Sequence, residues 1–296
     1  MRECAVIIIG GGPAGIACAV QLRRGGVEPV LVESDAVGGL LRNANLVENY
    51  PGFPCGIEGP ELAKRFAHQL DHAGVHTLRD EVEHLTYKDG GFHVRTGSET
   101  IRARIAVVAT GTKPKRLGGI TIPDGAQGRV YYEVYPLREV RNKRIAIVGA
   151  GDAAFDYALS LSRHNEVSIL GRSDAARCIP VLRERCYADG NITWHGGTVL
   201  EEVVRAEEGL VLGCDDGGGR ERWEHEADYV VIAIGREPCL DFLGSETAAR
   251  LGDLAHEGVL HLVGDVKNDI YRQTAICVGD GVRAAMCICR HERTHV

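Results

Sequence analysis

The chain has 296 residues, with 34 Lys and Arg against 41 Asp and Glu, a formal net charge of −7 and a pI near 6.0. That length accommodates two ordinary domains, and the acidic balance excludes a general nucleic-acid or anionic-membrane binder. No apolar run approaches the roughly 20 residues that span a bilayer, and the first residues enter a strand without a signal-peptide pattern, so a cytoplasmic protein is expected.

The chain begins with an apolar run, Ala5–Ile9, that enters Gly10-Gly11-Gly12-Pro13-Ala14-Gly15 and continues as a helical pattern to about Arg24. Pro29–Val32 is a second short apolar run, ended by Glu33. Alternating segments follow at Glu81–Tyr87, Phe92–Thr96 and Glu99–Ala103, then an apolar strand from Ile105 that closes on Ala109-Thr110-Gly111. A linker, Lys113-Pro114-Lys115, precedes a second copy of the pattern. Ile145–Val148 enters Gly149-Ala150-Gly151-Asp152-Ala153-Ala154, a helix runs to about Ser162, and Glu166–Leu170 ends at Gly171-Arg172. Alternating segments recur at Val199–Arg205, Leu210–Cys214 and Glu221–Glu226, before a closing strand, Val230–Gly235, and the linker Arg236-Glu237-Pro238. The final stretch has a strand at Val259–Val263 and a helix from about Gly281.

Short continuous Val/Ile/Ala runs are what parallel strands buried on both faces require. The predicted fold is α/β: two Rossmann-like dinucleotide-binding domains, each a parallel sheet with a small antiparallel ribbon. Residues 1–112 and 239–296 form the first domain, interrupted by a second at 113–238.

Each glycine turn lets the backbone bend at its first glycine and approach a pyrophosphate at its second, with the phosphates at the helix N-terminus. Glu33, 23 positions after Gly10, is the acid expected on an adenosine ribose. The equivalent position after Gly149 is Arg172, which pairs with a 2′-phosphate and favours NADPH over NADH, with Arg177 as a second clamp.

Ten cysteines are spread along the chain without any Cys-x-x-Cys, so zinc-ribbon and thioredoxin-like motifs are absent and no metal is expected. The bland reading of most of them is reduced core thiols. Basic residues cluster at Lys113, Lys115 and Arg116, and again at Arg138, Arg141, Lys143 and Arg144. They suit either a solvated linker or the steering of an acidic partner.

Gly10 to Gly15, Gly38-Gly39-Leu40, Glu48 to Pro54, Ala109-Thr110-Gly111, Gly149 to Ala154, Gly264-Asp265, and Arg272-Gln273-Thr274-Ala275 leading to Gly279-Asp280-Gly281 carry a family resemblance. The chain resembles the low-molecular-weight thioredoxin reductase group of flavoproteins over nearly its whole length. That resemblance implies FAD in the first domain and a homodimer. Gly10, Gly12, Pro13, Ala14, Gly15, Thr110 and Gly111 would bind the cofactor, with Glu33 on the adenosine ribose; Gly38, Gly39, Leu40 and Asn49 would line the flavin side. Gly264 and Asp265 would take the ribityl chain, and Arg272, Gln273 and Thr274 the pyrimidine edge. Neutral donors and a helix N-terminus at that edge stabilise the negative charge of a reduced flavin. In the second domain Gly149, Gly151, Asp152, Ala153, Arg172 and Arg177 would bind the nicotinamide dinucleotide.

One departure directs the functional reading. Thioredoxin reductases carry Cys-x-x-Cys before the second glycine turn, where this chain reads Val130-Tyr131-Tyr132-Glu133-Val134-Tyr135-Pro136-Leu137-Arg138. The sequence is therefore similar to the disulfide-free branch, the ferredoxin/flavodoxin NADP⁺ reductases, although its tail from Arg290 lacks that branch's aromatic ring. The expected activity is electron transfer between NAD(P)H and ferredoxin, flavodoxin or a small-molecule acceptor. No side chain is required as a nucleophile. Two other readings stay open: a thiol/disulfide reductase using Cys55, Cys277, Cys287 or Cys289, and a non-catalytic flavoprotein sensor. His291 and His295 are candidates to fold back over the flavin.

Overall fold

The computed structural model describes residues 2–218 and 222–294. Its first stretch contains β1 (Arg2–Ile9), α1 (Pro13–Arg24), β2 (Pro29–Glu33), α2 (Gly59–His72), β3 (His76–Arg79), β4 (Val82–Lys88), β5 (Gly91–Thr96), β6 (Thr100–Val108) and β7 (Thr112–Pro114). The middle contains β8 (Val130–Tyr131), β9 (Arg144–Val148), α3 (Asp152–Leu161), β10 (Glu166–Leu170), α4 (Pro180–Ala188), β11 (Ile192–His195), β12 (Val199–Ala206), β13 (Gly209–Asp215), β14 (Arg222–Ala227) and β15 (Tyr229–Ile232). The last stretch contains β16 (Arg236–Pro238), α5 (Ser245–Ala249), α6 (Leu251–His256), β17 (Leu260–Leu262) and α7 (Thr274–Thr294).

These elements form two compact units. The first comprises residues through Arg42, Val47–Lys113 and Glu237 onward; the second comprises Asn43–Leu46 and Pro114–Arg236. In the first unit the sheet order is β3-β2-β1-β6-β5-β4, with β17 against the inner end of β6. β1 runs parallel to β2 and β6, and Val6, Ile7 and Ile8 are wholly buried, Val6 and Ile8 against the α1/α7 layer and Ile7 on the opposite face, as their apolar run requires. The second unit repeats the arrangement as β11-β10-β9-β15-β8, all parallel. In both, the glycine turn follows the strand at which the order reverses, where ligands bind in doubly wound sheets.

Three features differ from the sequence reading. Glu99–Ala103 and the strand from Ile105 are one strand, β6, because Arg104 between them turns outward without breaking the extended backbone. Its outer half pairs antiparallel with β5, so this ribbon is continuous with the parallel sheet. In the second unit Asp228 interrupts the equivalent path: its carboxylate accepts from Arg144 N at 2.9 Å, and β12-β13-β14 stands as a separate sheet. The start of its third segment, at Glu221, lies outside the described residues.

The last helix begins at Thr274, seven residues before the expected Gly281. Gly279-Asp280-Gly281 reads as a breaker, yet Gly281 serves packing: a Cβ there would overlap Ala14 O and stand 2.9 Å from Cys18 N on α1. The bare glycine lets α7 lie directly on α1, and Ile16, Cys18, Ala19, Leu22, Ala285 and Ile288 close the layer between them. The third difference is the transfer of Asn43–Leu46 to the second unit, which nothing in its composition signals.

Candidate functional site

The first glycine turn is built for close approach. Gly10 has φ +105°, a value that favours glycine, and donates to Val32 O at 2.8 Å. A Cβ at Gly15 would overlap Gly10 O, so helix and turn touch only because Gly15 is bare. Gly12 differs: a Cβ there would meet nothing within 4 Å, so the turn opens outward at the position where a pyrophosphate must approach. Gly12 caps α1 without any side-chain bond, leaving the first N–H groups of the helix available to an anion. Glu33 lies beside the turn, accepting from Gly11 N at 2.6 Å and Asp35 N at 2.9 Å.

Several more of the sequence-selected residues gather here. Gly38 N donates to Gly11 O at 2.8 Å, and a Cβ on Gly39 would stand 3.1 Å from Gly12 Cα, which places the Gly38–Leu40 loop against the turn. Gly264 comes as close on another side, where its Cβ would stand 2.9 Å from that of Ala14. Gly111 N–H and carbonyl follow β6, with Thr110 Oγ1 donating to Cys239 O at 2.7 Å and Cys239 N to Gly111 O at 3.1 Å. Across 224 positions of sequence, Asn49 Nδ2 donates to Gln273 Oε1 at 2.8 Å. Arg272 and Gln273 directly precede Thr274, the first residue of α7, whose N-terminal turn supplies the positive dipole end that a reduced flavin's pyrimidine edge calls for. The open glycine turn, the bonded acid and this helix start fit FAD.

In the second unit Gly149 and Gly151 repeat the pattern. A Cβ on Gly149 would overlap Ala233 O, whereas one on Gly151 would meet nothing within 4 Å, and α3 has no side-chain cap. Arg177 N donates to Ala150 O at 2.7 Å, and Asp152 Oδ1 accepts from Ile179 N at 2.8 Å. These two bonds fold the segment after β10 onto the glycine turn. Arg172 and Arg177 are both exposed on that segment, and Ala153 on the first turn of α3 is exposed beside Asp152. Two guanidinium groups on a loop tied to an open helix N-terminus suit a dinucleotide with an additional phosphate.

None of the ten cysteines is in a disulfide, and burial pushes the Cys18 and Cys186 thiols up to about 12 and the Cys4 and Cys214 thiols to about 11, which removes thiolate character. Cys55 and Cys287 are exposed. Among the described residues, no group of three or more His, Cys, Asp or Glu is arranged to hold a metal ion.

A polar network that the sequence did not reveal occupies the Tyr132–Tyr135 stretch. Glu133 accepts from Arg236 Nη1 and from Asn43 Nδ2, each at 2.6 Å, and Asn43 Oδ1 accepts from Tyr135 N at 2.9 Å. Arg116 lies over the Tyr132 ring at 4.6 Å. Asp156 accepts from Asn45 N at 2.8 Å, while burial raises its carboxyl to about 6 against the opposing backbone bonds.

The basic clusters are largely paired. Lys113 bonds Asp241 and lies 3.5 Å from Glu237, Arg144 pairs with Glu226 and Asp228, and Arg141 donates to the carbonyls of Arg138 and Val140. His291 packs toward Gly258, in the electrostatic surroundings of His261, and His295 lies outside the described residues. No helix among the described residues is long and apolar enough to cross a membrane.

A family model for pyridine nucleotide-disulphide oxidoreductases matches residues 4–255. Thioredoxin reductase from Chlamydia pneumoniae is 30% identical over 310 residues, covering 97% of this chain and 98% of its own. NADPH-dependent thioredoxin reductase 3 from Arabidopsis thaliana is 29% identical over 95% of this chain, which spans 57% of that longer protein. Among solved structures, Lactococcus lactis thioredoxin reductase superposes with a TM-score of 0.86 at 26% identity, covering 97% of this chain and 98% of that one. With both glycine turns in place, the chain belongs to the pyridine nucleotide-disulphide oxidoreductase family, as a thioredoxin-reductase-like flavoprotein of the group that uses FAD and NADPH.

Proposed function

We propose that this chain, as a homodimer, moves electrons between NADPH and an external acceptor through FAD, without a dithiol of its own. The observation that carries the reading is the stretch Tyr132-Glu133-Val134-Tyr135, with no cysteine between Cys55 and Cys178. Where thioredoxin reductases present a disulfide for reduction, this chain has tyrosines and a bonded glutamate. Bound FAD supplies hydride acceptance and release of electrons to a second carrier.

The chain's own residues bind and orient. Glu33 receives ribose hydroxyls, Gly12 and the start of α1 receive the pyrophosphate, and Gln273 with the start of α7 stabilises negative charge at the pyrimidine edge. Arg172 and Arg177 receive the 2′-phosphate of NADPH. One-electron carriers of the ferredoxin or flavodoxin type need no thiol relay and are the acceptors that this arrangement favours.

Anaerobic mixing of the flavin-loaded protein with NADPH, then with ferredoxin, flavodoxin, thioredoxin or a small disulfide, tests the reading. Rapid bleaching by NADPH and recolouring by ferredoxin or flavodoxin is the expected result. Recolouring by thioredoxin or a small disulfide that is lost in Cys55→Ser would assign thiol chemistry instead. A flavin that neither NADPH nor NADH bleaches would make the protein a sensor.

A further inference from the structure

The turn that carries Asp265 is held by α7 through two side chains one helical turn apart. Cys277 Sγ donates to Asp265 Oδ1 at 3.0 Å, and the backbone N–H of Asp265 in turn faces that sulfur. Asp280 Oδ2 accepts from Gly264 N at 3.2 Å and from Asn268 Nδ2 at 2.8 Å. Its other oxygen meets Arg283 Nη2 at 2.9 Å and Lys267 Nζ at 3.2 Å. Both residues are buried, at 7% and 8% exposure, so these bonds are shielded from competing water.

The geometry leaves little slack. Gly264 has φ +75°, and a Cβ there would stand 3.4 Å from Cys277 Sγ and 2.9 Å from the Ala14 Cβ in the first glycine turn. The turn is therefore wedged between α7 and the phosphate-facing start of α1. Burial and the adjoining Asp265 carboxylate push the Cys277 thiol well up, so it stays a proton donor and is unsuited to be a nucleophile.

We propose that Cys277 and Asp280 are positioning residues for FAD: they lock the Gly264–Val266 turn so that Asp265 spends Oδ1 on the thiol and presents Oδ2 to a cofactor hydroxyl. This rests on the reading of Asp265 as a ribityl ligand. Asp280 fixes the backbone of the turn, and Cys277 fixes the rotamer of the carboxylate. Neither touches the reacting atoms. A serine at 277 would keep the donor and an alanine would not.

The test is FAD titration of the apo full-length chain, followed by flavin fluorescence, for Cys277→Ala, Cys277→Ser and Asp280→Asn, with Cys277→Ala repeated in an Asp265→Asn background. Losing a donor to a partly buried carboxylate is expected to raise Kd about tenfold in Cys277→Ala, with Cys277→Ser within about threefold of wild type. In the Asp265→Asn background Cys277→Ala should add less than about twofold, because its effect runs through that carboxylate. Asp280→Asn keeps volume but loses the charge held by Lys267 and Arg283, and is also expected to weaken binding. Wild-type affinity in Cys277→Ala or in Asp280→Asn, or an equal loss from Cys277→Ala in both backgrounds, overturns the proposal. A wild-type chain that takes up no FAD refutes the cofactor reading itself, which separates the two failures.

Discussion

Both carboxylate oxygens of Glu33 accept backbone N–H groups, so the residue shapes the first glycine turn while offering its remaining lone pairs to a ligand. Glu33→Ala is expected to weaken FAD binding by about tenfold or more, since hydrogen bonds to a charged group are worth about 1.5–3 kcal/mol each; titration of the apo-protein measures it. Replacing Arg172 and Arg177 by Ala should raise KM for NADPH much more than for NADH, an outcome steady-state kinetics with both nucleotides reads directly. Asp156 makes a prediction of a different kind. Its folded carboxyl titrates near 6, above the roughly 4 of an unfolded chain, so the folded state holds the extra proton and stability falls as pH rises between those values. The Tm of Asp156→Asn relative to wild type should therefore climb from pH 4 to pH 6 and level off above; a difference that does not change with pH contradicts this. Glu33 and Arg172 stand out in the sequence as candidates because a strand and a turn of fixed length set their distance from the glycines. Asn43 and Glu133 were not, because a hydrogen bond between residues 90 positions apart leaves no periodic trace.

Among the elements, α7 shows how packing overrides a local signal. Its glycines suggested a boundary at 281, but a surface that must lie on α1 requires the same residue. Gly281→Ala would drive a methyl group into Ala14 O and is expected to cost about 1–3 kcal/mol, as overpacking of a close-packed core does; chemical denaturation measures the loss, and FAD retention should fall with it. On the second unit, His195 at the end of β11 and Trp223 and His225 on β14 form an aromatic cluster with ring centroids 5.4–5.7 Å apart. Burial lowers the pKa of both histidines, and the charges of His195 and Arg144 lower His225 further. Protonation therefore favours the unfolded chain, and stability from this cluster, complete above about 6.5, declines as pH falls through the lowered values. Trp223 is one of only two tryptophans, so its fluorescence should report loosening of β14 as pH falls below about 6.5, and His225→Phe should diminish that transition, with His195 keeping its share. The parallel strands were readable from their apolar runs, whereas the joining of β6 into one strand depended on where Arg104 points, which alternation alone does not settle.

At the scale of the whole molecule, two copies of one strand order carry two open glycine turns, and the sequence displayed that duplication plainly because each turn needs glycines at fixed positions. The family comparisons agree with it over nearly the full chain. The proposed function turns on Tyr132 and Tyr135, which stand in the segment where the thioredoxin reductase resemblance implies a dithiol that would store a second pair of electrons. Anaerobic reductive titration of the flavin-loaded protein counts that store directly. Full reduction after one two-electron equivalent per FAD, with Cys55→Ser and Cys287→Ser giving the same stoichiometry, is the predicted result, and uptake of a second two-electron equivalent per chain would contradict it.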